Sequence, residues 1–156
     1  RLAQPATAQV PADTSVPGPD LSMQSLIVDA AFVRSHARSP GYALIDARAS
    51  VYYDGVEPSG DMRKLRKGHI PGAVNMPFNL VASMDNKLKT RAQLEALFRD
   101  KGIAPGTRLI VYCHIGQQAT AIMFAARSLG MDAVLYDGSF EDWTQNDGLV
   151  EARAAR

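Results

Sequence analysis

Between Arg108 and Gly130 the chain runs through a strand, a short polar arc and a helix, and no other stretch narrows the fold so far. Leu109-Ile-Val-Tyr112 is apolar and β-branched, the pattern of a strand buried on both faces. Apolar residues then return at Ala119, Ile122, Met123, Ala126 and Leu129, the spacing of one helical face, and Gly130 supplies the stop. Cys113 sits at the joint, followed by an arc with Gly116 in its middle. It is the only cysteine of the 156 residues.

A side chain at the carboxyl end of a strand in an open parallel sheet faces the crevice where ligands bind. Amides of a tight turn entering a helix converge on one point, at the positive end of that helix. Such a place stabilises an anion, and so favours a reactive thiolate at Cys113. The plainer alternative is a cysteine serving as a small buried apolar residue. The polar neighbours His114, Gln117 and Gln118 favour the reactive reading.

Three separated motifs carry a resemblance. Cys113 to Ala119, Gly68-His-Ile-Pro-Gly-Ala-Val-Asn75 and Tyr136-Asp-Gly-Ser-Phe-Glu-Asp-Trp143 together resemble the rhodanese family of sulfurtransferases. The similarity runs from about Leu26 to Asn146. It implies an α/β, rhodanese-like three-layer domain with a central, mostly parallel five-stranded sheet flanked by helices. It also implies that Cys113 carries sulfur as a persulfide, with no separate cofactor and no metal. The anion-binding loop is then His114, Ile115, Gly116, Gln117, Gln118 and Ala119.

Composition bounds the remaining choices. The length suits one domain with a sizeable core, expected over 24–147. A net charge of +1 gives no field for nucleic acid or an anionic membrane, and no apolar run is long enough to span a bilayer. One cysteine excludes an internal disulfide and a thiolate-rich metal site. A zinc site from Cys113 with His36, His69 and His114 lacks ligand-like spacing.

Residues 1–23, with Pro5, Pro11, Pro17 and Pro19, lack periodicity and read as a flexible lead or linker. Such a lead follows a removed export signal or joins two domains; export is the preferred reading, with a cytoplasmic alternative. Asp29 is an N-cap candidate for a helix over 30–38. Tyr42 to Arg48 reads as a core strand ending in Asp46 and Arg48. The family's matching Asp-x-Arg implies an ion pair that supports the site and takes no part in the chemistry. Residues 50–67 read as a long loop, functional or mobile. It holds Tyr52 and the basic run Arg63, Lys64, Arg66 and Lys67, which either draws an anionic substrate to the pocket mouth or is simply solvated. His69 is expected to fix its turn by hydrogen bonds. Thr90 caps a helix over 91–100, Ser139 caps a last helix, and 148–156 reads as a frayed tail.

Three functions compete. The first is an enzyme in which Cys113 takes sulfur from a donor such as thiosulfate and yields it to a thiol or cyanide. The second is a relay handing sulfur to a protein acceptor or a second rhodanese domain. The third, a cysteine phosphatase or arsenate reductase, needs an arginine six positions after the cysteine, where Ala119 stands. The loop also lacks the cationic side chains common in thiosulfate-using members. In the two-domain enzymes an arginine precedes the aromatic of the 50–67 segment, and its matching place is Tyr52. Both departures count against thiosulfate as the physiological donor.

Overall fold

The computed structural model describes residues 25–60, 62–85 and 87–152. The expected lead, 1–23, and the last residues of the expected tail lie outside them. Five strands build the central sheet: β1 (Ile27–Val28), β2 (Tyr42–Asp46), β5 (Val74–Asn75), β6 (Arg108–Tyr112) and β7 (Ala133–Tyr136). Their order is β1-β7-β6-β2-β5 and every pairing is parallel. β6 lies at the centre, so Leu109, Ile110, Val111 and Tyr112 are all fully buried, as the uninterrupted apolar run requires.

Strand periodicity divides the core in two. Leu109 and Val111, with Ile45, face one layer: α3 (Arg91–Asp100), α4 (Gln117–Ser128) and the short 3₁₀ turn Phe78–Val81. Ile110 and Tyr112, with Leu44, Val134 and Tyr136, face the other, formed by α1 (Ala30–His36) and α5 (Ser139–Gln145). The result is the three-layer α/β architecture that the motifs imply. α4 lies close on the sheet because its buried face is small: Ala119, Ala125 and Ala126 beside Ile122.

The helix starts follow the capping signals in the sequence. Asp29 accepts from Phe32 N at 2.8 Å. Thr90 and Gln93 form a reciprocal capping box on α3, which satisfies two orphan amides at once.

Three segments differ from the sequence reading. Residues 50–67 are not a structureless loop. They hold a helical turn, α2 (Ser50–Tyr53), and an antiparallel pair of β3 (Pro58–Ser59) with β4 (Arg66–Lys67). Ser139 does not cap α5: Gly138 occupies that place and Ser139 sits at φ 55° with its hydroxyl turned elsewhere. Residues 149–152, expected to fray, are strapped down. Glu151 exchanges backbone hydrogen bonds with His69, at 2.7 and 2.8 Å. Its carboxylate pairs with Arg38 and accepts from Gly72 N, and Leu149 O accepts from Trp143 Nε1 at 2.7 Å.

Candidate active site

Cys113 immediately follows β6 and is only 1% exposed. Its side chain belongs to the α4 side of the core, with Ala47, Val111 and Ala119. Its backbone faces α5. Cys113 N donates to Ser139 Oγ at 3.1 Å, and Ser139 Oγ donates to Tyr136 O at 2.9 Å. Phe140 N donates to Cys113 O and Glu141 N to His114 O, both at 3.1 Å. Two first-turn amides of α5, which have no partner within their own helix, thus find acceptors in the cysteine loop.

Those bonds fix the opposite side of the loop. In a planar trans peptide the N–H points away from the C=O. With Cys113 O and His114 O turned to α5, the amides of His114 and Ile115 point away from it, toward the α4 side where the Cys113 side chain lies. The start of α4 adds the first-turn amides from Gln117 onward, which have no acceptor within the helix. Gly116 makes the turn between the two sets at φ 92°, a conformation suited to glycine. A β-carbon there would stand 2.7 Å from Asp137 Oδ1 and 2.9 Å from Asp137 O. Gln118 is half-buried, with its Oε1 unpartnered among the described residues.

Asp46 and Arg48 form a fully buried pair at 2.6 Å. Asp46 also accepts from Arg48 N at 2.9 Å and from Tyr112 OH at 2.7 Å. Arg48 Nη2 donates to Gly68 O at 2.9 Å, and the guanidinium lies 3.9 Å from the Phe140 ring centroid. Burial opposes the Arg48 charge, but the hydrogen bond and charge of Asp46 outweigh it and hold its pKa above the ordinary range. Tyr112 is pushed well above its ordinary value, by burial first and the Asp46 charge second. Tyr112 OH also accepts from Ile70 N at 3.1 Å. One buried network therefore spans β2, β6, the Gly68–Asn75 turn and the start of α5.

His69 Nδ1 lies 2.7 Å from Tyr53 O, and its ring stacks on Tyr53 at 3.7 Å. Asn75 and Ser59 were not singled out in the sequence. Asn75 Nδ2 donates to Asp46 O and Arg48 O, and its Oδ1 accepts from Ser50 Oγ. Ser59 Oγ shares a 2.7 Å hydrogen bond with His114 Nδ1. Tyr52 meets the same imidazole edge-on, with centroids 4.7 Å apart. The 50–67 segment thus reaches the cysteine loop through Tyr52 and Ser59. Of its basic run, Lys64 points elsewhere, pairing with Asp147 at 3.1 Å, past the end of α5. Arg63 and Lys67 are exposed, and Arg66 stands opposite Ser59 in the β3–β4 pair. Burial, then the Arg48 charge, lower the pKa of His114, with Asp46 acting against them.

Among the described residues no three His, Cys, Asp or Glu side chains are grouped to hold a metal ion. No helix there is long and apolar enough to cross a membrane.

A central parallel strand that delivers a lone cysteine into a glycine-turned helix start, braced by a buried Asp-x-Arg pair, defines a rhodanese-like domain. Residues 29–146 match the Rhodanese-like domain family, and the chain belongs to that family. It is similar to the thiosulfate sulfurtransferase of Cricetulus griseus, 38% identical over 112 residues, which are 71% of this chain and 38% of that protein. It is also similar to the 3-mercaptopyruvate sulfurtransferase of Escherichia coli, 35% identical over 101 residues, covering 64% of this chain and 35% of the relative. The chain spans little more than a third of the length of these curated relatives. Among solved structures it resembles the Tum1 protein of Saccharomyces cerevisiae, with a TM-score of 0.69 and 25% identity, over 81% of this chain and 46% of that one. It shares its fold with the anaerobic ergothioneine biosynthesis enzyme of Chlorobium limicola, with a TM-score of 0.74 and 22% identity, over 83% and 32% of the two chains.

Proposed function

We propose that this domain is a sulfurtransferase in which Cys113 attacks the outer sulfur of a donor, keeps it as a persulfide, and yields it to a thiol or cyanide. The observation that carries the reading is the orientation of the loop. The carbonyls of Cys113 and His114 accept from α5, which supports a loop whose amides are turned the other way and would surround a sulfur anion. Those amides would stabilise charge as it develops on sulfur, at no cost of reorganisation. The relatives' names point the same way. The chemistry asks nothing of a cofactor, since sulfur is carried on Cys113 itself.

The loop side chains offer a donor no fixed cation, and Lys64 is committed elsewhere. Thiosulfate would therefore be held chiefly through backbone amides, and an organic persulfide or mercaptopyruvate suits the cleft at least as well. Mass spectrometry after exposure to a donor panel tests the reading. Cys113 should gain one sulfur, removable by cyanide or thiol, and Cys113→Ser should gain none. Transfer retained by the serine variant would refute the mechanism. Turnover on small acceptors, compared with transfer to a protein thiol, separates an enzyme from a relay.

A further inference from the structure

We infer that His114 carries the proton in the second half of the transfer, taking it from an acceptor thiol and returning it to the sulfur that is transferred. The inference rests on the persulfide reading of Cys113.

The imidazole is held as a proton carrier must be. Its backbone carbonyl is tied to Glu141 N, and its ring is gripped by Ser59 at Nδ1 and by the Tyr52 ring. The tautomer that donates Nδ1–H to Ser59 Oγ leaves Nε2 with a lone pair. Nε2 makes no hydrogen bond among the described residues, and the ring is half-buried on the residue that follows the cysteine. Sequence proximity alone does not explain this grip: Ser59 stands 55 residues away, on a hairpin that reaches the loop.

The charged groups around the ring set its state. Arg48 opposes protonation and Asp46 favours it, both from beneath the loop. Arg66 stands opposite Ser59 on the hairpin, Glu141 is the α5 residue bonded to His114 O, and Asp137 lies against Gly116. Burial and Arg48 favour neutral imidazole, the form that accepts a proton. A negative charge on Cys113, as thiolate or as persulfide, would act the other way and favour imidazolium, so the ring is poised between the two.

The step balances. Nε2 takes the proton of the acceptor R–SH, and the thiolate sulfur attacks the outer sulfur of Cys113–S–S⁻. The S–S bond breaks, its electron pair leaves on Cys113 Sγ, and the imidazolium returns the proton to the transferred sulfur. The products are R–S–SH and the Cys113 thiolate, with one proton and one negative charge on each side. Sulfite brings no such proton. Its attack gives thiosulfate and the same thiolate directly, so the two acceptors separate proton transfer from everything else.

The test loads wild type and His114→Gln with sulfur and follows persulfide discharge at pH 8 with a thiol and with sulfite. Loss of a positioned acid–base group predicts a thiol rate lower by about 10²-fold, with a much smaller change for sulfite. The gap should close as the acceptor thiol becomes more acidic, and the variant should lose the histidine limb of the wild-type pH profile. Ser59→Ala, which keeps the imidazole but frees Nδ1, should show the same selective defect in milder form and serves if His114→Gln fails to load. Equal losses on both acceptors, or a defect indifferent to thiol acidity, overturn the inference and leave His114 as a fastening for the hairpin. Wild type that takes no sulfur at Cys113 sinks the persulfide reading and the inference together, before any substitution is made.

Discussion

Removing the Asp46 carboxylate should cost this domain much of its stability, because four donors converge on it in a place without water. Arg48 N, Nε and Nη2 and Tyr112 OH all reach its oxygens, between 2.6 and 3.1 Å. In Asp46→Ala the guanidinium keeps Gly68 O and the faces of Phe140 and Tyr112 but no carboxylate, while remaining fully buried. Leaving one partner of such a pair uncompensated costs roughly 3–5 kcal/mol. A domain's whole stability is about 5–15 kcal/mol, so about a fifth or more is at stake. For a chain of this size that loss lowers Tm by about 6–20 °C. Denaturant unfolding at low temperature, where the variant is still folded, gives the same quantity. The companion variants are Arg48→Met, which strands the carboxylate instead, and the double replacement Asp46→Leu/Arg48→Met, which strands no charge. The double variant should be well above the sum of the single losses, with a coupling of several kcal/mol. Single variants that melt within a few degrees of wild type, or losses that simply add, would refute the account. An unchanged Tm with lost transfer would instead give Asp46 a chemical role.

Three further outcomes are expected. His114 has a folded pKa below its ordinary value, so between the two values the unfolded chain binds more protons than the folded one. Its contribution is complete above about pH 6.5 and is lost as pH falls through the lowered folded value; unfolding titrations below pH 7 should show a slope that His114→Gln flattens. Gly116→Ala should cost about 1–3 kcal/mol, from the left-handed backbone and the contact with Asp137, with a larger loss in persulfide loading than in fold, read by mass spectrometry beside circular dichroism. Truncation after Gly148 removes the bonds of Leu149 and Glu151 to Trp143, His69, Gly72 and Arg38. It should lower Tm by several degrees; an unchanged melt would restore the frayed tail.

The parts of the fold that were legible in the sequence are those set by local periodicity and by capping. The four apolar residues of β6, the Asp29 cap and the Thr90 box all state their structure within a few residues. What was not legible depends on partners far along the chain. Ser139 looks like a helix cap in sequence, but its hydroxyl is claimed by Cys113 N across 26 residues. Glu151 belongs to a polar tail until His69, Arg38 and Gly72 are brought beneath it. Ser59 and Asn75 carry no local signal either, since each acts by bonding a distant loop. The basic run left two readings open, a charged mouth or a solvated loop, because the direction of each cation depends on the hairpin: Lys64 is aimed at Asp147, whereas Arg66 stands opposite Ser59.

The same distant contacts explain why one cysteine position stands out. Any strand end places a side chain near the crevice of a parallel sheet, and β2 and β7 end there too. After β6 the chain meets the starts of two helices. α5 presents orphan amides that take up the carbonyls of Cys113 and His114. α4 begins at once, through Gly116, and presents its own orphan amides on the other side. Each carbonyl drawn to α5 turns an amide toward α4, so the brace and the cradle are two faces of the same peptide planes. The residue at the joint therefore lies between the two helix starts whichever side chain it carries. On the function proposed above, cysteine suits that place because its sulfur can hold a charge that such amides would stabilise.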